Sequence, residues 1–354
     1  MSPASEPAHP HWEVQALWQQ LLPLLPGLTI EVVGRTDSTN SRLIERARAA
    51  AGDPDAPITR PGQIGSMGRE PATPHGRRAG DLEPCLLVAE QQTLGRGRLG
   101  RDWVSNPVDS LTFSLALALE PADWSGLSLA VGLALAEALD PAPLSGAPRI
   151  GVKWPNDLWY VDGAGAGRKL GGILIETVSV GRHRMCIIGI GLNVRPVAVE
   201  GVATASLQEL LPGIDVPAAL GRIALPLVQA LRRFEREGFA PLVPAYARRD
   251  VLRGRAVSAS GEDGAGRADG VDASGALRLL GADGQLRRIV GGEVSVRLSD
   301  AAAGGASATT ADAAGGAQTG DAVATLAAGG AAAAGNAAAA TPGPGSPPAA
   351  TGAA

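Results

Sequence analysis

The last 54 residues limit how much of this chain can build a core. From Ala301 to Ala354, 36 residues are Ala or Gly, none is Lys or Arg, and the only acids are Asp312 and Asp321. Such a stretch has too little large apolar surface to offset the entropy of ordering it. Residues 300–354 are therefore expected to be a disordered tail, which leaves 299 of 354 residues for one large or two ordinary domains. The opening, Met1 to Trp12, is rich in Pro, Ser and Ala, and residues 1–27 read as a partly disordered N-terminal segment.

Between these ends the pattern alternates. Val14 to Leu25 has helical spacing broken by Pro23 and Pro26, and Leu28 to Arg35 is a β-branched strand. Asp37-Ser38-Thr39-Asn40 offers N-cap side chains for a helix over Ser41 to Ala50. Gly52 to Pro84, rich in Pro and Gly without periodicity, reads as a long loop. Strands are expected at Cys85 to Gln91, Leu111 to Glu120, Ile150 to Trp154, Leu170 to Val178 and Arg184 to Gly191. Leu127 to Leu139, apolar all round, reads as a buried helix. Pro217 to Glu237 reads as a long helix with Pro226 as a potential kink. From Leu252 to Leu298, five short runs separated by Gly and Asp turns (Ala256 to Ala259, Arg267 to Asp272, Ala276 to Leu280, Leu286 to Val290, Val294 to Leu298) predict a small antiparallel barrel. The class is α+β with a small all-β addition.

Charge and composition then exclude functions. The net charge is −4, and no domain is basic overall, so DNA is not an expected partner. The longest uncharged apolar run near the middle, Trp124 to Ala136, is 13 residues and too short to span a bilayer. No basic residue precedes an apolar core at the start, so no signal peptide is expected. Cys85 and Cys186 both lie in apolar runs, which indicates buried reduced thiols in a cytoplasmic protein. The four histidines do not pair with Cys or carboxylates at ligand spacing, and no metal-ligand residue is assigned.

Four clusters carry candidate chemistry. After the strand ending at Gln91, Gly95-Arg96-Gly97-Arg98-Leu99-Gly100 fits G-x-G-x-x-G. However, the following Arg-Asp-Trp-Val-Ser-Asn-Pro does not open a helix. Arginines among glycines make a cationic loop able to wrap an anion bidentately; a solvated basic turn is the plainer reading. Lys153-Trp154-Pro155-Asn156-Asp157 forms an unusual strand-end turn, or simply a β-turn anchored by Trp154. Lys169 precedes Gly171-Gly172 inside a strand, which implies close approach by a ligand or another backbone, or else a bulge. Ile188-Gly189-Ile190-Gly191-Leu192-Asn193 reads as a further strand whose glycines leave room and whose end presents Asn193. Together they describe a site for an anionic, nucleotide-like ligand.

In this order, the clusters resemble the bacterial biotin protein ligases. Asp37 to Asn40, Gln92, Ala203 to Leu207 and Gly291 to Arg297 extend the resemblance, which covers Asp37 to about Leu298. It implies a mixed-sheet catalytic domain over 28–248, containing the 52–84 loop, and an SH3-like barrel over 249–299. It also implies the reaction: biotin and MgATP give biotinyl-5′-AMP and pyrophosphate, and biotin then passes to a lysine of a biotin carboxyl carrier protein. By the same resemblance, Ser38, Thr39, Asn40, Gln92, Arg96, Gly97, Arg98, Lys169 and Gly172 contact biotin. Trp103, Lys153, Asn156, Asn193 and Arg297 contact ATP or the adenylate, and Lys169, Arg98, Arg96 and Asp157 are catalytic. Three departures stand out: Leu99 where many relatives have a second arginine, the long 52–84 loop, and only 36 residues before Asp37, too few for the winged helix-turn-helix of regulatory members. Competing readings are a lipoate or octanoate ligase, a repressor, and an adenylate-binding regulator without catalysis. Strand edges near Gly171 to Val180 could pair across a two-fold axis in a homodimer.

Overall fold

The computed structural model describes residues 10–50, 73–75, 83–141, 147–162, 167–180, 183–260, 264–290 and 296–298. The expected disordered tail over 300–354 lies outside them. Elements, in chain order, are α1 (Val14–Leu21), β1 (Thr29–Thr36), α2 (Thr39–Ala50), β2 (Thr73–His75), β3 (Cys85–Gln92), β4 (Ser110–Ala118), α3 (Leu127–Leu139), β5 (Ile150–Lys153), β6 (Asp157–Val161), β7 (Gly167–Val180), β8 (His183–Asn193), α4 (Val216–Glu237), α5 (Val243–Ala247), β9 (Ala256–Ala259), β10 (Ala265–Val271), β11 (Leu277–Gly281), β12 (Leu286–Ile289) and β13 (Val296–Leu298).

The first eight strands form one mixed sheet, ordered β2-β1-β3-β4-β8-β7-β6-β5. β1 and β3 run parallel, joined through α2, while every other pairing is antiparallel. Burial on both faces explains the nearly unbroken apolar runs of the central strands, as in Ser110–Ala118, where only the last residue is not buried. One face packs on α1, α3 and α4 around Leu115, Leu133, Ile188 and Phe234; the other packs on α2 around Leu43, Leu87 and Ile187. α3 is buried on nearly all sides, as its uniform apolarity predicts. α4 runs unbroken through Pro226, capped by Asp215, whose carboxylate accepts the Ala218 N–H at 2.8 Å.

β9 to β13 form a separate antiparallel sheet, ordered β12-β11-β10-β9-β13. Its turn at Asp272–Ala276 reaches the main sheet: Trp154, 1% exposed, donates its indole N–H to Gly275 O at 3.0 Å.

The structure corrects the sequence reading in several places. The segment expected to be loop over 52–84 contains β2, which pairs antiparallel with β1. The turn at Pro155–Asn156 leads directly into β6, a strand the reading missed, and α5 was missed as well. The first helix ends at Leu21, four residues short of the expected Leu25. Both cysteines are buried and free.

Candidate active site

The ends of β1, β3, β7 and β8 converge on a cleft of about 380 Å³, within the usual range for a small-molecule site. At its inner end lies a polar network whose cleft-lining side chains, Ser38, Thr39, Asn40 and Gln92, are buried and uncharged. Ser38 accepts the Ser41 N–H at 3.3 Å and starts α2. Thr39 donates from its backbone N–H and its hydroxyl to Gln92 Oε1, at 2.7 and 3.0 Å. Ser114 Oγ stands 2.6 Å from both Thr39 Oγ1 and Asn40 Oδ1, and its single proton can serve either. Asn40 donates to Leu174 O at 3.2 Å and to Glu176 Oε2 at 2.8 Å. Ser105 Oγ accepts the Gln92 N–H at 2.8 Å. Ser38, Thr39, Asn40 and Ser114 are each no more than 3% exposed, so their hydrogen-bonding needs must be met within the protein or by a ligand.

Glycines in β8 make room for this geometry. A Cβ at Gly189 would stand 2.3 Å from Asn40 Oδ1, and one at Gly191 would stand 2.3 Å from the Trp103 ring. The expected close approach at Gly171 is another backbone: a Cβ there would be 2.5 Å from Gly191 O. A bulge is present too, because the β6–β7 register jumps between Gly171 and Lys169.

The mouth of the cleft is cationic. The Gly95–Trp103 excursion closes on itself: Trp103 N–H donates to Gly95 O at 2.8 Å, and Gly97 N–H to Arg101 O at 2.7 Å. Leu99 sits at its tip with φ +58°. Arg98 donates to Asn156 Oδ1 at 3.2 Å. Burial pushes the Arg98 guanidinium below its ordinary pKa; Asp157 opposes this and Arg101 adds to it. An anion in the cleft would offset the cost of holding that partly buried charge. Lys169 Nζ pairs with Asp157 Oδ1 at 2.9 Å, and Lys153 Nζ stands 5.1 Å above the Trp159 ring. Arg96 pairs with Glu176.

The structure thus brings all but one of the expected site residues to the cleft: Ser38, Thr39, Asn40, Gln92, Arg96, Gly97, Arg98, Trp103, Lys153, Asn156, Asp157, Lys169, Gly172 and Asn193 all line it. The Arg297 side chain lies outside the described residues. Asn193, 4% exposed, uses its amide to brace Ala205 O at 3.1 Å. Sequence reasoning missed Ser114, Glu176 and Trp159. Ser114 carried a faint signal as a polar residue inside the apolar run Leu111 to Leu119; the others carried none. Trp103 Nε1, Trp159 Nε1 and Thr112 Oγ1 are buried without a hydrogen-bond partner, and their residues line the cleft. Such orphaned groups suit a ligand-binding site. Among the described residues, no group of three or more His, Cys, Asp and Glu could hold a metal, and no helix is long and apolar enough to cross a membrane.

A second groove, of about 720 Å³, lies across the Arg96–Leu99 loop. The second half of β7, the turn at Ser274–Ala276 and Trp124 flank it. β7 pairs with β8 through Val180 but with β6 only as far as Gly172. Among the described residues, no strand covers its other edge beyond that point.

Comparison with known proteins follows the same division. Residues 82–193 match the Biotin/lipoate A/B protein ligase family, and residues 254–297 match the Biotin protein ligase C terminal domain. The chain is 33% identical to the bifunctional ligase/repressor BirA of Escherichia coli over 80% of its own length and 78% of that protein's. It is 32% identical to a biotin–[acetyl-CoA-carboxylase] ligase of Mycobacterium tuberculosis, over 71% and 82% of the two chains. A biotin protein ligase of Aquifex aeolicus, solved in complex with biotin and ATP, superposes with a TM-score of 0.55 at 25% identity, covering 76% of this chain and 99% of that one.

Proposed function

Because the chain belongs to the biotin protein ligase family, we propose that its cleft joins biotin to ATP, forming biotinyl-5′-AMP and pyrophosphate, and then transfers biotin to a lysine of a biotin carboxyl carrier protein. The observation that carries this reading is the polarity of the cleft, neutral and hydrogen-bonding at the Ser38–Asn40 and Gln92 end, cationic at the mouth. Biotin has that same polarity, an uncharged ureido ring at one end and a carboxylate at the other.

In this reading Ser38, Thr39, Asn40 and Gln92 hold the ureido ring, and Lys169 meets the biotin carboxylate and the α-phosphate. Trp103 covers the adenine, and Lys153, Asn156, Asn193 and Arg297 are assigned to the nucleotide. The carboxylate oxygen attacks the α-phosphorus and pyrophosphate leaves. Charge builds on the phosphate oxygens, where Lys169 and Arg98 stabilise it. Mg²⁺ bound to ATP would neutralise polyphosphate charge. Such an ion keeps most of its waters and needs only one or two carboxylates besides the substrate's oxygens, and Asp157 offers one at the cleft wall. Gly97 lets the loop fold over the product and exclude water.

For the second step, the groove beyond the loop leads the acceptor lysine to Asn156 and Arg98, which line both cavities. That lysine must lose a proton from a group of ordinary pKa near 10.4. Asp157, released when Lys169 turns to the phosphate, receives or orients it. The acceptor is proposed to be the carrier subunit of acetyl-CoA carboxylase and the setting cytoplasmic. On a net charge of −4, neither DNA nor a membrane is included as a partner. A homodimer through the same β7 edge belongs to the proposal as an alternative to carrier docking, because both would occupy that side of the groove. Incubation with biotin, MgATP and a purified carrier domain tests it: one biotinyl group should appear on one carrier lysine, and no mass gain on the carrier would refute transfer.

A further inference from the structure

The glycine–arginine loop is held down by a residue that neither sequence patterning nor the proposed reaction assigns. Glu176 lies on β7, four residues beyond Gly172, the last residue paired with β6, and opposite Ile187 of β8. Both of its carboxylate oxygens accept from Arg96 Nη2, at 3.0 and 2.8 Å. Oε2 also accepts from Asn40 Nδ2 at 2.8 Å. One carboxylate therefore joins the loop to the first turn of α2, inside the polar network at the inner end of the cleft. From there the network continues through Ser114, whose one proton serves either Asn40 Oδ1 or Thr39 Oγ1, and through Thr39 to Gln92 at the end of β3, three residues before Gly95.

We propose that Glu176 is a positioning residue that latches the loop closed and couples its closure to the Asn40 end of the cleft. The pair sits where a latch should, on the wall between the cleft and the groove, with Arg96 45% and Glu176 28% exposed. A fully buried pair would lock the loop, and a fully exposed one would contribute almost nothing. An intermediate burial lets the pair break for entry and re-form over a bound adenylate. The second half of the inference rests on the ligase reading; the latch itself does not.

Glu176→Gln keeps the size and an acceptor for Asn40 but removes the charge that holds Arg96. Two readouts separate the claims. Without any ligand, trypsin cleavage after Arg98 and Arg101, followed by fragment mass, should be about three- to tenfold faster in the variant. With biotin and MgATP, release of biotinyl-adenylate should be faster by a similar factor, while the thermal unfolding midpoint stays at the wild-type value. Cleavage at the wild-type rate would overturn the latch. Faster cleavage with unchanged adenylate release would overturn the coupling. Absence of any adenylate in the wild-type protein would instead sink the ligase reading, with the cleavage comparison still deciding the latch.

Discussion

Gly189 and Gly191 carry much of the site's shape, because each is the hole into which a functional side chain fits. Gly191→Ala would place a methyl group 2.3 Å from the Trp103 ring and force the ring from its seat. If that ring covers the adenine, the KM for ATP should rise about tenfold, equivalent to about 1.4 kcal/mol, with little change for biotin. Gly189→Ala presses on Asn40 instead and should raise the KM for biotin, leaving that for ATP near wild type. Steady-state kinetics on the pair checks this, and a reversed pattern would exchange the two ends of the site. Lys169→Gln removes a cation at the transition state and should lower the adenylation rate roughly 100- to 1,000-fold, measured in a single turnover. The motif residues were legible at this scale because Gly, Arg, Lys and Asn stand out in apolar strands. Their partners were not: Arg96 and Glu176 are 80 positions apart, and only the fold makes them neighbours.

Among the elements, the segment between α5 and β9 has its own pH response. Asp250 follows Arg249, and the flanking backbone bonds to β5: Val152 N–H donates to Arg249 O at 2.7 Å, and Val251 N–H to Val152 O at 3.2 Å. Burial pushes the Asp250 carboxyl up to about 6 from the ordinary 3.8, opposed by the N–H groups of Leu252 and Arg253 and by the Arg253 charge. Its Oδ2 is buried without a partner. With the folded value above the unfolded one, the contribution is fully present below the unfolded pKa and is lost as pH rises through about 6. At neutral pH the ionised group costs about 3 kcal/mol. Asp250→Asn should therefore raise the unfolding midpoint relative to wild type at pH 8, and the gap should shrink towards pH 4.5. An equal gap at both values would contradict this origin. Element type followed the hydrophobic pattern closely: α3 at Leu127–Leu139 and β9 at Ala256–Ala259 have the bounds their apolar runs imply. β6 escaped because Pro155-Asn156-Asp157 is strong turn chemistry, and its continuation as strand depends on pairing with β5 and β7, which is tertiary information.

Across the whole molecule, the second sheet braces the cleft. Its turn carries Gly275 at φ +81°, where a Cβ would come within 2.8 Å of Gly126 at the start of α3. Asp272 organises that turn by accepting from Ser274 and Ala276, and its carboxyl is held down to about 2 by Arg288 and these bonds despite partial burial. The result fixes the Gly275 carbonyl against Trp154, next to the corner that presents Asn156 and Asp157. Trp154→Phe leaves that buried carbonyl unpaired, which typically costs about 1–3 kcal/mol. Denaturant unfolding should show that loss, and adenylation should slow several-fold. A variant of wild-type activity would mean that the corner holds itself. The α+β layout was readable from the sequence, but this brace was not, because Trp154 and Gly275 are 121 positions apart.

Radiolabelled pyrophosphate–ATP exchange with biotin, lipoate or octanoate decides whether this one cleft activates biotin with ATP. Exchange is expected with biotin alone and should be abolished by Lys169→Gln. Exchange with lipoate or octanoate instead would contradict the assignment of Ser38, Thr39, Asn40 and Gln92 to a ureido ring, and no exchange with any acid would contradict the activation chemistry itself.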